Sequence, residues 1–531
     1  MYFLIRKNFI WNGDDIYYQV QRITGIDHFI HVGTFPTIST INFGEIGYGV
    51  NLFYPWITLV PFGLINLFSN NIITTYYLTI GFFFFLSFLI SHYSMYKFSH
   101  SNLQAVAFSL IYNFCNYRLI ELIPRSSLAE YIATIFLPLC FLGLYEVLFK
   151  NYRNWFILTI GMTFIVMTHI LTTFMTVVLF FIILLCSWFK LNHKIKRVIS
   201  LIYAAVSTFL LSAVFLIPFL LEEKFQKYAQ PDPQRLIGTD FWQSIIMGLN
   251  NSSSRMVEGN YYNLGVVLIV VMVMGLVAFK KMDWTNKFVY LLGVGIFLFS
   301  TNLFPWQILQ NTFLNVIQFP FRLLMFASLF LSVTGSYLFK TYLINQNSNK
   351  QIFSIIALLV ILFGFWSSSF KVSTTNKTLI ADSHAVINNK MIRENRIPDT
   401  YLDQYVPAKS KKFMVGVTQH QVLINNQPTV AHPLEKSGCE SINLSNLRKN
   451  DNVDMPFIKY KYSNVLVNGR PVNNYSSQRG TIEFHNSNRI KHAHITVDYG
   501  SHKLFATIIV CELLGLISII AGIIFKNKSF N

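Results

Sequence analysis

Residues 76–90 read YYLTIGFFFFLSFLI, without a single charge, and apolar runs of this kind recur along the chain. A run that approaches or exceeds about 18 apolar residues matches, as a helix, the hydrocarbon core of a bilayer. The composition agrees. Of 531 residues, 53% are hydrophobic and 12% are charged, whereas soluble domains carry about 25% charged residues. One or two soluble cores cannot cover that much apolar surface. The expected fold class is mainly α, a polytopic integral membrane protein.

Hydropathy and loop charge together predict about eleven spans, near 73–95, 102–117, 128–149, 154–170, 171–189, 198–220, 261–279, 287–301, 320–340, 352–369 and 503–525. The stretch between Arg153 and Lys190 fits two short spans hinged near residues 169–173. The net charge of +18 would point to nucleic acid in a soluble protein. Here the excess gathers in short connections (KLNHKIKR at 190–197, KKMDWTNK at 280–287, KNK at 526–528). That is the positive-inside pattern, so the expected partners are membrane lipids and no nucleic acid. The basic connections would face the cytoplasm. The longer loops 1–70, 221–260, 302–319 and 370–502 would lie outside. Eleven spans with a cytoplasmic C-terminus put the N-terminus outside, an awkward start for MYFLIRKNFIW. The expectation is therefore that a first span is missing upstream.

The expected organisation is a multi-span domain over 1–369 with a first outer loop at 1–70. A small extracytoplasmic β-rich domain follows over 370–502, then a last span and tail over 503–531. In VLVNGRPV (465–472) an Asn-Gly pair stands between β-prone flanks, a hairpin signal. TIEF (481–484) and HITVDY (494–499) alternate as half-buried strands. Of five cysteines only Cys439 falls in that region, which excludes an internal disulfide framework there.

Ionisable residues beside spans are costly, and they are the first place to look for chemistry. In GDDIYYQVQRI (13–23), Asp14 and Asp15 stand ahead of Arg22 in an aromatic segment. A carboxylate there can act as a general base toward a hydroxyl or hold a divalent cation; the bland alternative is that both merely cap the helix that follows. In YRLIELIPRSSLAEY (117–131), Arg118, Glu121, Arg125 and Glu130 bracket a break at Pro124, and Ser126 or Ser127 can cap the next helix. Arginine near a helix start suits a phosphate; an interfacial ion pair is the plain alternative. His169 (MTHILTTF) reads most simply as a buried, hydrogen-bonded histidine. In QFPFR (318–322), Pro320 can start a helix with Arg322 snorkelling to the interface, or Arg322 can bind a lipid phosphate. Glu222, Glu223, Arg235 and Arg255 lie in a third outer loop, without a fixed destination. His492 and His494 share a strand face, too weak a signal to assign a metal.

These motifs, in order with GYGVNLFYPW (47–56), THILT, QFPFR and DMPFIKYKYSNVLVNGRPV (454–472), resemble the bacterial multi-span proteins of the GT-C glycosyltransferase superfamily, in particular the YfhO-like group. Proteins of that group often bear the label 6-pyruvoyl-tetrahydropterin synthase-related membrane protein, although no metal-ligand histidine set is present in this chain. The family's first outer loop typically reads His-Asp-Leu followed by Phe-His. Asp15 matches its Asp, Asp14 stands at the first His position and Gln19 at the second. The resemblance implies a membrane glycosyltransferase that takes a sugar from a polyprenyl-phosphate donor to a cell-envelope polymer acceptor on the outer side. It implies that Asp15 is the acidic residue of the loop and that Arg125, Glu130 and Arg322 match the family's charged positions. The rival readings are a transporter or flippase of lipid-linked precursors, and a non-catalytic envelope-assembly protein.

Overall fold

The structure, a computed structural model, describes residues 5–526 apart from 7, 12, 34, 36, 232–233, 254–261, 376–385 and 437–438. The chain is mainly helical, with antiparallel β structure gathered before the last helix. The first helix is α1 (Ile16–Val32). The bundle contains α2 (Ile72–Ser99), α3 (Asn102–Asn113), α4 (Asn116–Leu122), α5 (Leu128–Phe149), α6 (Trp155–Val166) and α7 (Ile170–Ser187). It continues through α8 (Lys194–Leu211), α9 (Ala213–Phe225), α10 (Val266–Ala278), α11 (Trp284–Phe299), α12 (Leu324–Leu343), α13 (Ser348–Thr375) and α14 (His502–Phe525).

Six of these helices, some with an adjoining turn, are long and apolar enough to cross a membrane: Ile72–Ser99, Leu128–Phe149, Ile170–Lys190, Pro320–Leu343, Ser348–Lys371 and His502–Phe525. A seventh arises if α8 and α9, bent by 83° where they meet, form one span. The protein is a multi-pass integral membrane protein, since only helices or closed barrels satisfy their backbone in lipid.

The other expected spans are shorter helices. The run near 102–117 divides into α3 and α4, of 12 and 7 residues. The run near 154–170 stops as the 12-residue α6, because His169 caps the next helix. The runs near 261–279 and 287–301 give helices of 13 and 16 residues. A 12-residue helix is about 18 Å long, against a bilayer core of about 30 Å.

Two long helices are central. The apolar windows of Leu128–Phe149 and Pro320–Leu343 are each 72% buried, against 11% for Ser348–Lys371 and 17% for His502–Phe525. α5 packs on α2 and α6, and α12 packs on α3, α10 and α11. α5, α7 and α12 begin near one end of the bundle and finish beside Lys150, Lys190 and Lys340.

The β region is two five-stranded antiparallel sheets. In one, Asn474–Ser476 (β10), Thr481–His485 (β11), Asn452–Ile458 (β7), Gln421–Ile424 (β3) and Gln427–Val430 (β4) lie in that order. In the other the order is Leu434–Lys436 (β5), Cys439–Leu447 (β6), Ile490–Tyr499 (β12), Ser463–Val467 (β8) and Arg470–Val472 (β9). Val422, Met455, Phe457 and Ile482 of the first share a buried core with Ile442, Val465, Ile495 and Val497 of the second, which is the packing of a sandwich. The hairpin expected at 465–472 is formed: Val467 faces Arg470 across Asn468 and Gly469, whose φ values are +49° and +77°. Two left-handed residues in a row are what a two-residue hairpin turn needs, and Asn-Gly supplies them.

The sandwich is docked on segments from the first 60 residues and on the stretch after α9. A second core joins Tyr18, Tyr48 and Phe53 to Tyr228, Val406, Met414, Ile458 and Tyr460. Apart from the sandwich, Phe9–Trp11 (β1) pairs with Val386–Asn388 (β2), placing Ile10 against Ile387.

Candidate functional site

The acidic loop is fastened to the α4–α5 connection through its backbone. The amides of Asp14 and Asp15 donate to the carbonyls of Pro124 and Arg125, each at 3.1 Å. Gly13 makes this approach feasible, since a Cβ there would lie 2.6 Å from the carbonyl oxygen of Ile123. Asp15 stands at the N-cap position of α1, yet its side chain makes no capping bond. Its Oδ1 accepts from the Tyr401 hydroxyl at 3.2 Å instead. Helix capping therefore does not account for this carboxylate. Burial raises its pKa above the ordinary carboxylate value; Arg125 opposes that, Asp14 adds to it, and the Tyr401 bond and Arg322 oppose it further. Asp14 itself is exposed.

Beneath this loop lies an ionic network. Nη1 of Arg125 donates to Oε2 of Glu121 at 2.6 Å and to Oε2 of Glu130 at 2.7 Å. Glu130 Oε2 also accepts from Nε of Arg322 at 3.2 Å, and Tyr117 donates to its other oxygen at 3.3 Å. Both glutamates are fully buried. Burial pushes the Glu121 carboxyl up, against the pull of Arg125. Arg322 spends Nη1 on Ile317 O and Gln318 Oε1, each at 2.9 Å, and is 7% exposed. It is an internal cation, not one that snorkels to an interface, although Pro320 does open its turn as expected. The α5 start departs from expectation: neither Ser126 nor Ser127 caps it. Ser126, at φ +52°, donates its hydroxyl to Ile123 O at 2.8 Å and closes the tight connection.

His169 and Arg22 complete the ring. His169 is buried, holds Thr172 Oγ1 at 2.8 Å through Nδ1, and caps α7. Its ring lies 5.9 Å from that of Tyr54, and Arg22 stacks on the opposite partner of that contact at 4.2 Å from the Tyr54 centroid. Arg22 donates to Pro55 O at 2.6 Å, while its Nε and Nη1 are buried without a hydrogen-bond partner. Gln19, at the family's second His position, is buried too, and its Oε1 has no partner.

Arg118 is not part of this group. It points to another side of α4, donating to Asn113 Oδ1 at 2.6 Å and Ser87 Oγ at 2.9 Å, between the rings of Tyr112 and Tyr131. Glu222 is spoken for elsewhere, by the Tyr228 hydroxyl at 2.5 Å and the Lys461 amide. Arg255 lies outside the described residues. His494 bonds Asn443 at 2.8 Å, and no group of three or more His, Cys, Asp or Glu is arranged for a metal among the described residues.

Two tyrosines were not legible as site residues, Tyr54 and Tyr401; Tyr405, near Tyr401 in the chain, stacks on Phe53 in the second core. Tyr401 and Tyr405 sit at φ +60° and +57°, a conformation costly for a bulky residue. Burial and the neighbouring Asp15 push Tyr401 up to about 12, so its hydroxyl remains a donor. The one sequence signal was the density of aromatics in GYGVNLFYPW and DTYLDQY. The chain matches no family model, no curated protein and no solved structure.

Proposed function

We propose that the protein is a membrane glycosyltransferase that moves a sugar from a polyprenyl-phosphate donor to a cell-envelope acceptor. One observation carries the reading. Asp15, Arg125 and Arg322, from three separate segments, meet at the starts of the central helices: the Asp15 amide donates to the Arg125 carbonyl at 3.1 Å, and Arg125 and Arg322 share Oε2 of Glu130. Asp15 takes the proton of the acceptor hydroxyl, a step suited to a carboxyl held above its ordinary pKa. Nη1 of Arg125 makes both of its carboxylate contacts, so the rest of that guanidinium and the Nη2 end of Arg322 are oriented donors for the leaving phosphate. Glu121, Glu130 and Tyr117 position the two cations. His169 and Arg22 fix Tyr54 beside them. The sandwich, which follows the segment whose Tyr401 bonds Asp15, presents the acceptor.

The finer topology belongs to the same proposal: a GT-C-like arrangement in which short helices complete the count toward eleven, with the site and sandwich outside and the lysine-rich ends inside. The test uses the purified full chain in liposomes containing a polyprenyl-phosphate-linked sugar, with envelope polymer supplied. Wild type releases polyprenyl phosphate as sugar appears on the polymer, and Asp15→Asn lowers that rate about 10²–10⁴-fold with unfolding temperature unchanged. Equal rates for the two proteins would overturn catalysis by Asp15. Movement of the intact lipid-linked sugar across the bilayer without transfer would favour a flippase.

A further inference from the structure

At the other end of the central helix, 20 residues or about 30 Å from Glu130, the bundle encloses a cavity of about 380 Å³. That is within the range of small-molecule pockets, roughly 300–1,000 Å³. It opens between α2, α5, α11 and α12, and Phe141, Tyr145, Phe288 and Phe330 are among the side chains that line it. Its charged lining residues are Lys150 and Lys190, and no carboxylate lines it among the described residues. Both lysines are exposed at helix ends. Lys190 Nζ stands 3.6 Å above the Trp284 ring, a contact to the ring face that leaves ammonium N–H groups for an anion. The backbone at Lys150 is anchored, because Arg197 donates to Val147 O at 2.6 Å and to Lys150 O at 3.3 Å, closing the end of α5.

We propose that this cavity is a binding site for an anionic glycerophospholipid, with one acyl chain between α5 and α11 and its phosphate between Lys150 and Lys190. The shape and the charge each demand part of that ligand. An aromatic slot between helices takes hydrocarbon, and two cations at its mouth, with no carboxylate among its described lining residues, select a negative headgroup. A soluble anion would leave the slot empty, and a zwitterionic lipid brings its own cation against the lysines. The site shares no residue with the Asp15 cluster and does not depend on the transferase reading.

The experiment is native mass spectrometry of the full chain released from nanodiscs of equal phosphatidylglycerol and phosphatidylcholine. Wild type retains phosphatidylglycerol in preference, by about thirtyfold for two lysines. Lys150→Ala with Lys190→Ala loses that preference, whereas Lys150→Arg with Lys190→Arg keeps it. Val333→Trp, which fills the slot, lowers retention of both lipids. Thermal unfolding of each variant shows whether it is folded. Equal retention of the two lipids by wild type would overturn the proposal. So would an unchanged preference in the alanine pair, or equal loss in the alanine and arginine pairs.

Discussion

Asp15 is held between opposing influences, and each is a named neighbour. Burial and Asp14 favour its neutral form; Arg125, the Tyr401 hydroxyl and Arg322 favour its charged form. A base must be ionised to accept a proton, so transfer should rise with pH through the pKa of this carboxyl. Deleting the Tyr401 bond removes a donor that stabilises the anion, and the pKa therefore moves up. Tyr401→Phe should shift the acid limb of the pH–rate profile upward by about one pH unit. A profile that stays in place would mean that Tyr401 is a structural neighbour only. Glu130 carries a different load. Two arginines share its Oε2, and a buried carboxylate of this kind keeps both cations in place at the cost of desolvating all three.

At the scale of elements, the acidic loop and the α4–α5 connection form one unit held by two backbone bonds. Gly13→Ala puts a methyl group against Ile123 O, so the loop must move away and both amide bonds lengthen. Overpacking of this kind costs about 1–3 kcal/mol. Hydrogen exchange should show faster exchange at Asp14 and Asp15, and liposome assays should show slower transfer. Exchange as slow as in wild type would show that the loop yields without losing its bonds. The elements also show how much the sequence discloses. Runs such as 76–90 announce themselves because hydropathy depends on composition alone, and Asn468-Gly469 announces its hairpin because few residues tolerate two left-handed positions. The breaks at Phe114–Cys115 and at Ser212 are hidden for the same reason: apolar content continues across them while the backbone turns, whereas the break at His169 falls beside the hinge expected near residues 169–173. Arg125, Glu130 and Arg322 stood out as charges beside apolar runs. Tyr401, 386 residues from Asp15, did not, since nothing local records a contact made by tertiary folding. Arg118 carried the same signal as Arg125 and faces elsewhere, because Arg118 lies on α4 while Arg125 lies past its end, in the turn that leads into α5.

Over the whole molecule, the site depends on a seam. The sandwich reaches the rest of the chain through the Ile458 amide on Ile46 O at 2.9 Å, the Tyr460 hydroxyl that accepts from the Gly49 amide at 2.8 Å, and Gln226 Nε2 on Lys459 O at 2.7 Å. The same seam brings Tyr401 to Asp15, so loosening it should loosen the site. Lys459 lies in the seam, 7% exposed, with its ammonium on Ser463 O and Asn474 Oδ1. Burial lowers its pKa to about 8, against the weaker opposing effect of Glu222. The ordinary lysine value is about 10.4. Between those two values the unfolded chain binds a proton that the folded chain has released, so stability rises with pH across that window. Below about 8 both states are protonated and the cost of burying the charge is fully present. Thermal unfolding followed by intrinsic fluorescence should therefore show a gain of about 1–3 kcal/mol between roughly pH 8 and 10.4. Other groups titrate in that range, and Lys459→Met, which keeps the length of the side chain without its charge, separates them. The variant should flatten the rise and move the unfolding of the sandwich little at pH 10. A rise of equal size in the variant would assign the effect to other groups and remove Lys459 from the seam's pH response.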